Sequence, residues 1–333
     1  MLKNHIQMKK LKEGQLNNFL ILLLLISTIF LFTFSIKNNN NNKYYEYSQK
    51  NYKVFTFAIP DTVYFAGQLI DLTNPFIRER VESEIYSIAY FHSQFIKTVK
   101  QTERYMPYIE QELKNKAMPS DLKYIAIIES NLMPTTSPAG AKGIWQFMKG
   151  TATKYGLEVT DDVDERLNFE KSTIAALSYL HDLYNMFGDW LLTIAAYNAG
   201  ENYIKNKITQ QYTNNFWDLV MNAETARYIS RAIATKLIYQ SLKTYGFYIP
   251  VLELYPPYKY KEIAIDTSIK DLPLFAKQMN VSYYNFKKLN PWLISDKLSN
   301  AGNKKYIIRI PVDTVFKITN KLNNDTIKLI ERI

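Results

Sequence analysis

The segment from residue 119 to residue 148 constrains the fold most, because a helical pattern in it runs into a loop that no helix can include. Pro119 suits a first helical position, and Asp121 lies in the first turn, where the helix dipole favours a negative charge. Apolar residues then recur at helical spacing: Leu122, Ile125 and Ala126. The pattern predicts a helix that buries one face.

Glu129 lies four residues after Ile125, so we expect its side chain on that apolar face. Burial disfavours the charged form of a carboxyl group and raises its pKa. A carboxylic acid that stays protonated near neutral pH is suited to act as a general acid. The alternative is an ordinary surface or ion-paired glutamate, which is the usual role of a single Glu near the end of a helix.

The residues after this helix predict a tight loop and then an aromatic surface. Prolines and glycines end the helix and allow close approach of the backbone: Pro134, Pro138, Gly140 and Gly143. Side chains of the kind that hold a sugar ring or its acetamido group follow: Trp145, Gln146, Phe147 and Met148. Core packing is the alternative for the two aromatic residues.

Four separated blocks, taken together, resemble the lytic murein transglycosylases with the goose-type lysozyme fold. The blocks are Glu129-Ser130, the run SPAGAKGIWQFM at 137–148, Thr151-Ala152 and the run AAYNAG at 195–200. Their order and spacing are similar to the membrane-bound D type, over residues 65–311. Several blocks in the right order are far more specific than any one of them. The resemblance implies a mainly α, lysozyme-like catalytic domain, which we expect at residues 71–249.

The resemblance also implies which residues form the site. Glu129 corresponds to the catalytic acid, and six residues correspond to the saccharide cleft: Ser137, Gln146, Met148, Tyr197, Asn198 and Glu224. In the family, the tyrosine of the AAYNAG block lies across the cleft from the acid. Judged from the residues alone, Tyr197 could be a core tyrosine and Glu224 an acidic residue at a helix N-terminus.

The implied reaction is cleavage of the β-1,4 bond between N-acetylmuramic acid and N-acetylglucosamine in peptidoglycan. Glu129 would protonate the glycosidic oxygen and then act as base while the C6 hydroxyl of the muramic acid attacks C1, which gives a 1,6-anhydromuramoyl end. Two alternatives remain open. A lysozyme-like muramidase would use the same acid with water, and a non-catalytic envelope protein would only bind peptidoglycan.

The N-terminal part predicts a membrane anchor. Residues 1–18 form a basic tail, and residues 19–36 contain no charged side chain, which is just long enough to cross a bilayer. We expect a single-pass protein of the bacterial cell membrane, with the catalytic domain on the periplasmic side. The alternative is a cleaved signal peptide, although no small-x-small site follows the apolar run. Residues 37–70 predict a tether and lead-in.

Helical patterns dominate from about residue 74 to about residue 245. In the helix predicted for 169–187, Ile174 is among the residues expected to face inward. An acidic cluster precedes this helix: Asp161, Asp162, Asp164 and Glu165. It lacks the alternating spacing and central glycine of a calcium loop, so we interpret it as a solvated segment that caps the helix.

A second pattern begins after Gly246, where prolines mark a boundary. A strand, two short helices and a closing strand are predicted between residues 260 and 312. This order resembles a LysM module, a class that binds N-acetylglucosamine in cell-wall glycans. The Gly-Asp-Thr usual near the first strand is replaced by Asp266-Thr267-Ser268, so a purely structural module is the alternative. Residues 313–333 predict a short amphipathic helix.

Composition limits the partners. The chain has 333 residues, 41 basic against 31 acidic side chains and no cysteine, which excludes disulfides and thiolate metal sites. Its three histidines have no metal-ligand spacing, so we expect neither metal nor cofactor. No nucleic-acid-binding signature accompanies the net charge of +10. The expected partners are anionic: peptidoglycan strands and the membrane surface, with the protein a monomer.

Overall fold

The computed structural model describes residues 23–30 and 54–312. Contacts divide the chain into two units, Met1–Ala58 and Ile59–Ile333. In the first unit, residues 23–30 form a helix. Within the described ranges, none of the helices has the length and apolar character needed to cross a membrane. The predicted basic tail, most of the predicted anchor, the first half of the predicted tether and lead-in, and the predicted C-terminal helix lie outside the described residues.

The second unit is mainly helical and begins with a small hairpin. Strands β1 (Thr62–Phe65) and β2 (Gln68–Asp71) pair in antiparallel fashion, with Phe65 opposite Gln68. The α-helices up to residue 240 are α1 (Pro75–Ala89), α2 (His92–Asn115), α3 (Lys123–Ser130), α4 (Lys149–Lys154), α5 (Phe169–Phe187), α6 (Trp190–Ala199), α7 (Glu201–Gln211) and α8 (Ala223–Gln240).

Helix α8 is the centre of this helical part. It packs against α1, α3 and α6, and Ile229 and Ile233 on it are fully buried. Asn222 caps its N-terminus by accepting a hydrogen bond from the backbone N–H of Thr225 at 2.9 Å. Because α3 lies directly on α8, side chains of α8 can reach the end of α3, where Glu129 is located.

Helix α3 is shorter than its sequence pattern predicts. Pro119 precedes a 3-10 turn at Ser120–Leu122, and the α-helix begins only at Lys123. The Asp121 carboxylate accepts a hydrogen bond from the backbone N–H of Ala66 at 2.8 Å and pairs with Lys236 Nζ at 2.7 Å. Asp121 therefore ties the hairpin and α8 to the start of α3.

Most helices predicted from the apolar spacing are confirmed, among them the helix at 169–187 with its exact bounds. Within it, the expectation for Ile174 is wrong, because this side chain is exposed. The β1–β2 hairpin has no counterpart in the sequence prediction. Its inward side chains Phe65 and Ile70 are buried, so it belongs to the core of the second unit.

The interpretation of the acidic cluster as a solvated segment is also wrong. Asp161 is exposed, but Asp162, Asp164 and Glu165 are buried. Each of the three has a partner that compensates for the loss of water, because an unpaired buried carboxylate is very costly. Glu165 pairs with Lys171 and also accepts a hydrogen bond from the backbone N–H of Glu158 at 2.9 Å.

The β-α-α-β order predicted after residue 260 is confirmed as β3 (Tyr260–Ile265), α9 (Leu272–Gln278), α10 (Tyr283–Leu289) and β4 (Tyr306–Pro311). The strands pair in antiparallel fashion, with Tyr260 opposite Pro311. The apolar core of this module includes Phe286, Leu293 and Ile308, and it also includes Val163 from the helical part. The two parts therefore share one apolar cluster.

Candidate active site

Glu129 occupies the last turn of α3 and is half-buried. Burial raises the pKa of its carboxyl group to about 7, and the negative charge of Glu224 acts in the same direction. A hydrogen bond from Tyr228 and the positive charge of Arg231 act in the opposite direction. Glu129 is therefore a carboxyl group that changes its protonation state near neutral pH, as its position on the apolar face predicts.

Tyr228 is the direct partner of this carboxyl group. Its phenolic hydroxyl donates a hydrogen bond to Glu129 Oε1. Tyr228 lies in the second turn of α8 and is buried, so it cannot exchange this partner freely with water. Burial, together with the charge of Glu129, raises the pKa of Tyr228 well above its ordinary value, which keeps the hydroxyl protonated as a donor.

Tyr197 lies near the end of α6 and belongs to the same electrostatic cluster. Burial raises its pKa well above the ordinary value, and the charges of Glu129 and Tyr179 add to this effect. Its hydroxyl donates to the backbone carbonyl of Trp145 at 2.8 Å. Its ring packs edge-on against Phe147, with 6.4 Å between centroids. Tyr197 thus joins α6 to the loop that follows α3.

This loop, residues 131–148, folds tightly against α3. Asn131 ends α3 in the left-handed conformation with φ 54°. The hydroxyl of Ser130 donates to the carbonyl of Ile144 at 2.8 Å, which ties the residue after Glu129 to the far side of the loop. Gly143 has φ +84°, and a Cβ there would lie 1.9 Å from the carbonyl oxygen of Arg166. Only glycine fits at that position.

The core-packing alternative for the loop aromatics holds for Trp145 and Phe147, which are both buried. The indole Nε1 of Trp145 donates to Thr173 Oγ1 of α5 at 2.9 Å. This bond satisfies the polar atom of a fully buried ring. These two side chains therefore belong to the core under the loop, while Met148 next to them is exposed.

The buried ion pair between Asp164 and Arg166 fixes the position of the 131–148 loop. Asp164 accepts hydrogen bonds from Arg166 Nε and Nη2, both at 2.8 Å, and pairs with Lys142 Nζ at 3.1 Å. Burial alone would raise the pKa of Asp164, but Arg166 and Lys142 outweigh burial and hold the pKa below its usual range. Arg166 Nη1 donates to the carbonyls of Gly140 and Phe147, at 3.0 and 3.2 Å. Part of the acidic cluster is thus a clamp on the loop.

Ser137 and Gln146 use polar atoms within this loop. Ser137 Oγ accepts a hydrogen bond from the backbone N–H of Ala141 at 3.0 Å. The Gln146 amide donates to the carbonyl of Gly143 at 2.7 Å, and Gln146 itself has a positive φ of 49°. Both side chains are half-buried at the loop surface. The contacts that the structure gives for them stabilise the loop rather than join them to Glu129.

Asn198 and Glu224 lie where α6 and α8 approach each other. The amide oxygen of Asn198 accepts a hydrogen bond from Thr225 Oγ1 at 3.0 Å. Glu224 is in the first turn of α8, as its alternative interpretation as a helix N-terminal acid predicts, and its side chain is exposed. It is nevertheless near enough for its charge to raise the pKa of Glu129.

Sequence reasoning assigned no role to Tyr228, Arg231 or Glu84. Arg231 Nε pairs with the buried carboxylate of Glu84 on α1 at 3.1 Å, and Arg227 pairs with the same carboxylate. The sequence near Tyr228 gives one indication of a role. Tyr228 follows Thr225 by three positions and Glu224 by four, so a helix places it next to both of them. Nothing local indicates that Glu84 anchors Arg231.

The arrangement suits acid–base chemistry at one carboxyl group. A Glu with a pKa of about 7 donates a proton and takes one back at similar cost near neutral pH. The Tyr228 hydroxyl stabilises the carboxylate formed after the proton has left, because hydrogen bonds to charged groups are stronger than those to neutral ones.

Comparison with known proteins defines the class of these two parts. Residues 106–220 match the Transglycosylase SLT domain, and residues 261–314 match the Soluble lytic transglycosylase C-terminal LysM-like domain. The chain therefore contains an SLT transglycosylase domain followed by a LysM-like domain. The SLT match includes Glu129, the loop after it, the Asp164–Arg166 clamp and Tyr197.

One relative is the membrane-bound lytic murein transglycosylase D of Escherichia coli K12, which is 36% identical over 186 residues. The match covers 54% of this chain and 40% of that protein. The peptidoglycan transglycosylase gp16 of Escherichia phage T7 is 36% identical over 135 residues, which cover 39% of this chain and 10% of that protein. The chain thus spans less than half the length of either relative.

Among solved structures, the 70 kDa soluble lytic transglycosylase of Escherichia coli matches with a TM-score of 0.38 and 23% identity. The match covers 49% of this chain and 28% of that chain. A TM-score this low does not assign a fold to this chain.

Proposed function

We propose that the protein is a peptidoglycan lytic transglycosylase with a goose-type lysozyme-like catalytic domain, and that Glu129 is its acid and base. The observation that supports this most directly is the Glu129 carboxyl group, which has a pKa of about 7 and a buried tyrosine hydroxyl as its donor. The matched SLT domain and the murein transglycosylases that share it point to the same reaction class.

In the first step, protonated Glu129 donates its proton to the glycosidic oxygen between N-acetylmuramic acid and N-acetylglucosamine. The C1–O4 bond breaks, and N-acetylglucosamine leaves with the proton. C1 of the muramic acid then carries positive charge, and Glu129 is a carboxylate held by the Tyr228 hydroxyl. General acid assistance of this kind contributes about 10²- to 10⁴-fold in rate.

In the second step, the Glu129 carboxylate removes the proton from the C6 hydroxyl of the muramic acid. O6 bonds to C1 and gives the 1,6-anhydro ring, and Glu129 returns to its protonated state. We assign substrate contacts at the rim of the site to Ser137, Gln146, Met148, Tyr197, Asn198 and Glu224. The backbone contacts of Ser137 and Gln146 would fix the loop on which they present their remaining polar atoms.

Hydrolysis is the second candidate, and Glu224 is the observation that favours it. Most glycosidases use two carboxyl groups, and the charge of Glu224 reaches Glu129. A muramidase would use Glu224 to orient a water molecule that attacks C1. The product would then be a reducing muramic acid, heavier than the anhydro product by one water.

The test is a product analysis by mass spectrometry of the full chain, in detergent, on purified peptidoglycan. Three proteins are compared: the natural sequence, Glu129→Gln and Glu224→Gln. We expect anhydro ends from the natural sequence, none from Glu129→Gln, and anhydro ends at a reduced rate from Glu224→Gln. Reducing ends that disappear in Glu224→Gln would establish the muramidase. Release of the same products by Glu129→Gln would overturn the assignment of the acid.

We also propose an envelope location with the anchor at residues 19–36 and the SLT and LysM-like parts on the periplasmic side. The apolar composition of residues 19–36 and the membrane-bound relative support this location. Protease added to intact spheroplasts should digest the SLT domain. Protection of that domain until the membrane is dissolved would contradict the proposed topology.

A further inference from the structure

A groove of about 1290 Å³ lies between the helical part and the LysM-like module. We call it the intermodule groove. One wall is formed by α2 and the start of α5, with Tyr105, Tyr108 and Phe169. The opposite wall comes from the module, with Tyr284, Trp292 and Tyr306. Pro134 and Ile144, from the loop that follows α3, also line it, whereas Glu129 itself does not.

The lining carries a surplus of positive charge. It contains eight basic and three acidic side chains. Two of the acids, Glu170 and Glu262, are both paired with Arg309, at 2.8 and 3.3 Å. Among the described residues, three exposed lysines of the lining form no ion pair: Lys259, Lys288 and Lys305. The groove therefore presents uncompensated positive charge to a ligand, which favours an anionic one.

Aromatic rings line the groove between these charges. The Arg104 guanidinium lies over the ring of Tyr258, 3.9 Å from its centroid, and the Arg309 guanidinium lies over Tyr260 at 4.4 Å. Such cation–π contacts hold the rings and the cations in fixed positions. Tyrosine offers an apolar ring face and a polar tip together, which suits a ligand built from sugar rings and polar linkages.

The two walls are joined rigidly. Ser295 of the module donates to Asp162 Oδ1 at 2.8 Å, and the backbone N–H of Asp164 donates to the carbonyl of Trp292 at 2.8 Å. Val163, between these two aspartates, is part of the apolar core of the module. A groove with walls fixed in this way is preorganised, so a ligand does not have to order it on binding.

We propose that the intermodule groove binds a stretch of peptidoglycan strand outside the catalytic cleft, with the tyrosines against sugar rings and the free lysines against the carboxylates of peptide stems. This inference rests on the proposed function for the identity of the strand. The groove exceeds the usual range for one small ligand, about 300–1000 Å³, so it accommodates a chain of several units. A strand held there is bound by residues other than Glu129.

The test uses the full chain with Glu129→Gln, so that strands stay uncut. Binding of fluorescent, uncrosslinked glycan strands that carry stems is measured, beside the same strands after amidase has removed the stems. The groove variant combines Lys259→Glu, Lys288→Glu and Lys305→Glu. The control variant combines Lys97→Glu, Lys116→Glu and Lys205→Glu, which are exposed and do not line the groove.

We expect the groove variant to bind stem-bearing strands about fivefold or more weakly, with a smaller salt dependence, and to bind stripped strands within about twofold of the parent. The control variant should match the parent on both. Unchanged binding by the groove variant, equal loss in the control, or equally tight binding of polyglutamate by the parent would overturn the proposal. If the natural sequence releases no muropeptides but strand binding still requires the groove lysines, the proposed function fails and the groove proposal stands.

Discussion

The phenolic hydroxyl of Tyr228 donates a hydrogen bond to the Glu129 carboxylate although 99 positions separate the two residues in the chain. The donor comes from the central helix α8 and the acceptor from the last turn of α3. The pKa of Glu129 is therefore determined by how these two helices pack. Burial raises that pKa to about 7, and the Tyr228 hydrogen bond keeps it from rising further.

Tyr228→Phe should shift the pH profile of cleavage. Without the donor, the Glu129 carboxylate loses a hydrogen bond, so its pKa rises above about 7 and the alkaline limb of the profile moves to higher pH by about one unit. The maximal rate should fall by about tenfold, because the carboxylate formed in the first step is less stabilised. Muropeptide release between pH 5 and 9 measures both effects, and an unmoved alkaline limb would contradict them.

Glu129→Gln should make the protein more stable at neutral and alkaline pH. The folded pKa of Glu129, about 7, is higher than the ordinary value of 4.5. Its contribution to stability is therefore fully present below pH 4.5 and is lost as pH rises through 7. The difference in free energy of unfolding between the variant and the natural sequence should grow by about 3 kcal/mol over this window.

Urea unfolding at a series of pH values measures that difference. The matched control is Glu103→Gln, since Glu103 is exposed and is not desolvated by the fold. If the free-energy difference for Glu129→Gln is the same at pH 4 and pH 8, Glu129 is not the desolvated acid that the site requires.

Gly143→Ala should prevent the 131–148 loop from adopting its folded conformation. The added methyl group would lie 1.9 Å from the Arg166 carbonyl oxygen, and the φ of +84° is strained for any side chain. We expect a loss of about 3 kcal/mol or more in unfolding free energy and no detectable cleavage. Gly140→Ala is the control, because its φ is +86° but nothing lies within 4 Å of the added atom, so only about 1–2 kcal/mol of backbone strain applies. Thermal unfolding of the two variants measures the loss of stability in each. Equal losses for Gly143→Ala and Gly140→Ala would argue against the close approach of Gly143 to the Arg166 carbonyl oxygen.

Asp164→Asn should weaken cleavage without touching the reacting groups. It leaves Arg166 buried beside a neutral amide, and removal of one partner of a buried pair costs about 3–5 kcal/mol. Because its folded pKa is below the ordinary 3.8, Asp164 contributes stability above pH 3.8 that is lost as pH falls through the folded value. The variant should therefore lose less stability than the natural sequence on acidification below pH 4. Exposed Asp161→Asn is the control, and a similar loss in both would contradict the clamp.

Local sequence patterns predicted the helices well, because each apolar stripe reports the face that one element buries. The position of Glu129 on the apolar face of α3 was enough to predict its raised pKa. The donor could not be predicted in the same way. The spacing around Tyr228 shows only that it shares a face of α8 with Thr225, and the packing of α8 against α3 decides what that face meets.

The burial of the acidic cluster could not be predicted from the sequence for a related reason. Asp162 and Asp164 look solvated when only their neighbours in the chain are considered, since four acids in five positions suggest a polar loop. Their burial depends on the LysM-like module, which begins about a hundred residues later and contributes Ser295 and the Trp292 carbonyl. The β1–β2 hairpin is not predicted from the sequence, because each strand has only four residues and a short apolar run does not distinguish a strand from other structure.

The Val163 side chain makes the stability of the SLT domain and that of the LysM-like domain depend on each other. Its place in the apolar core of the module, between Asp162 and Asp164, means that a chain cut within residues 250–257 would expose Val163 and remove the Asp162 partners. The same cut would remove the Trp292 carbonyl from the backbone N–H of Asp164, whose carboxylate holds Arg166 against the 131–148 loop. The boundary between these domains is therefore not a site at which the chain can be divided without loss. Replacing either domain by one from another protein requires matching changes in the residues that contact it across the boundary.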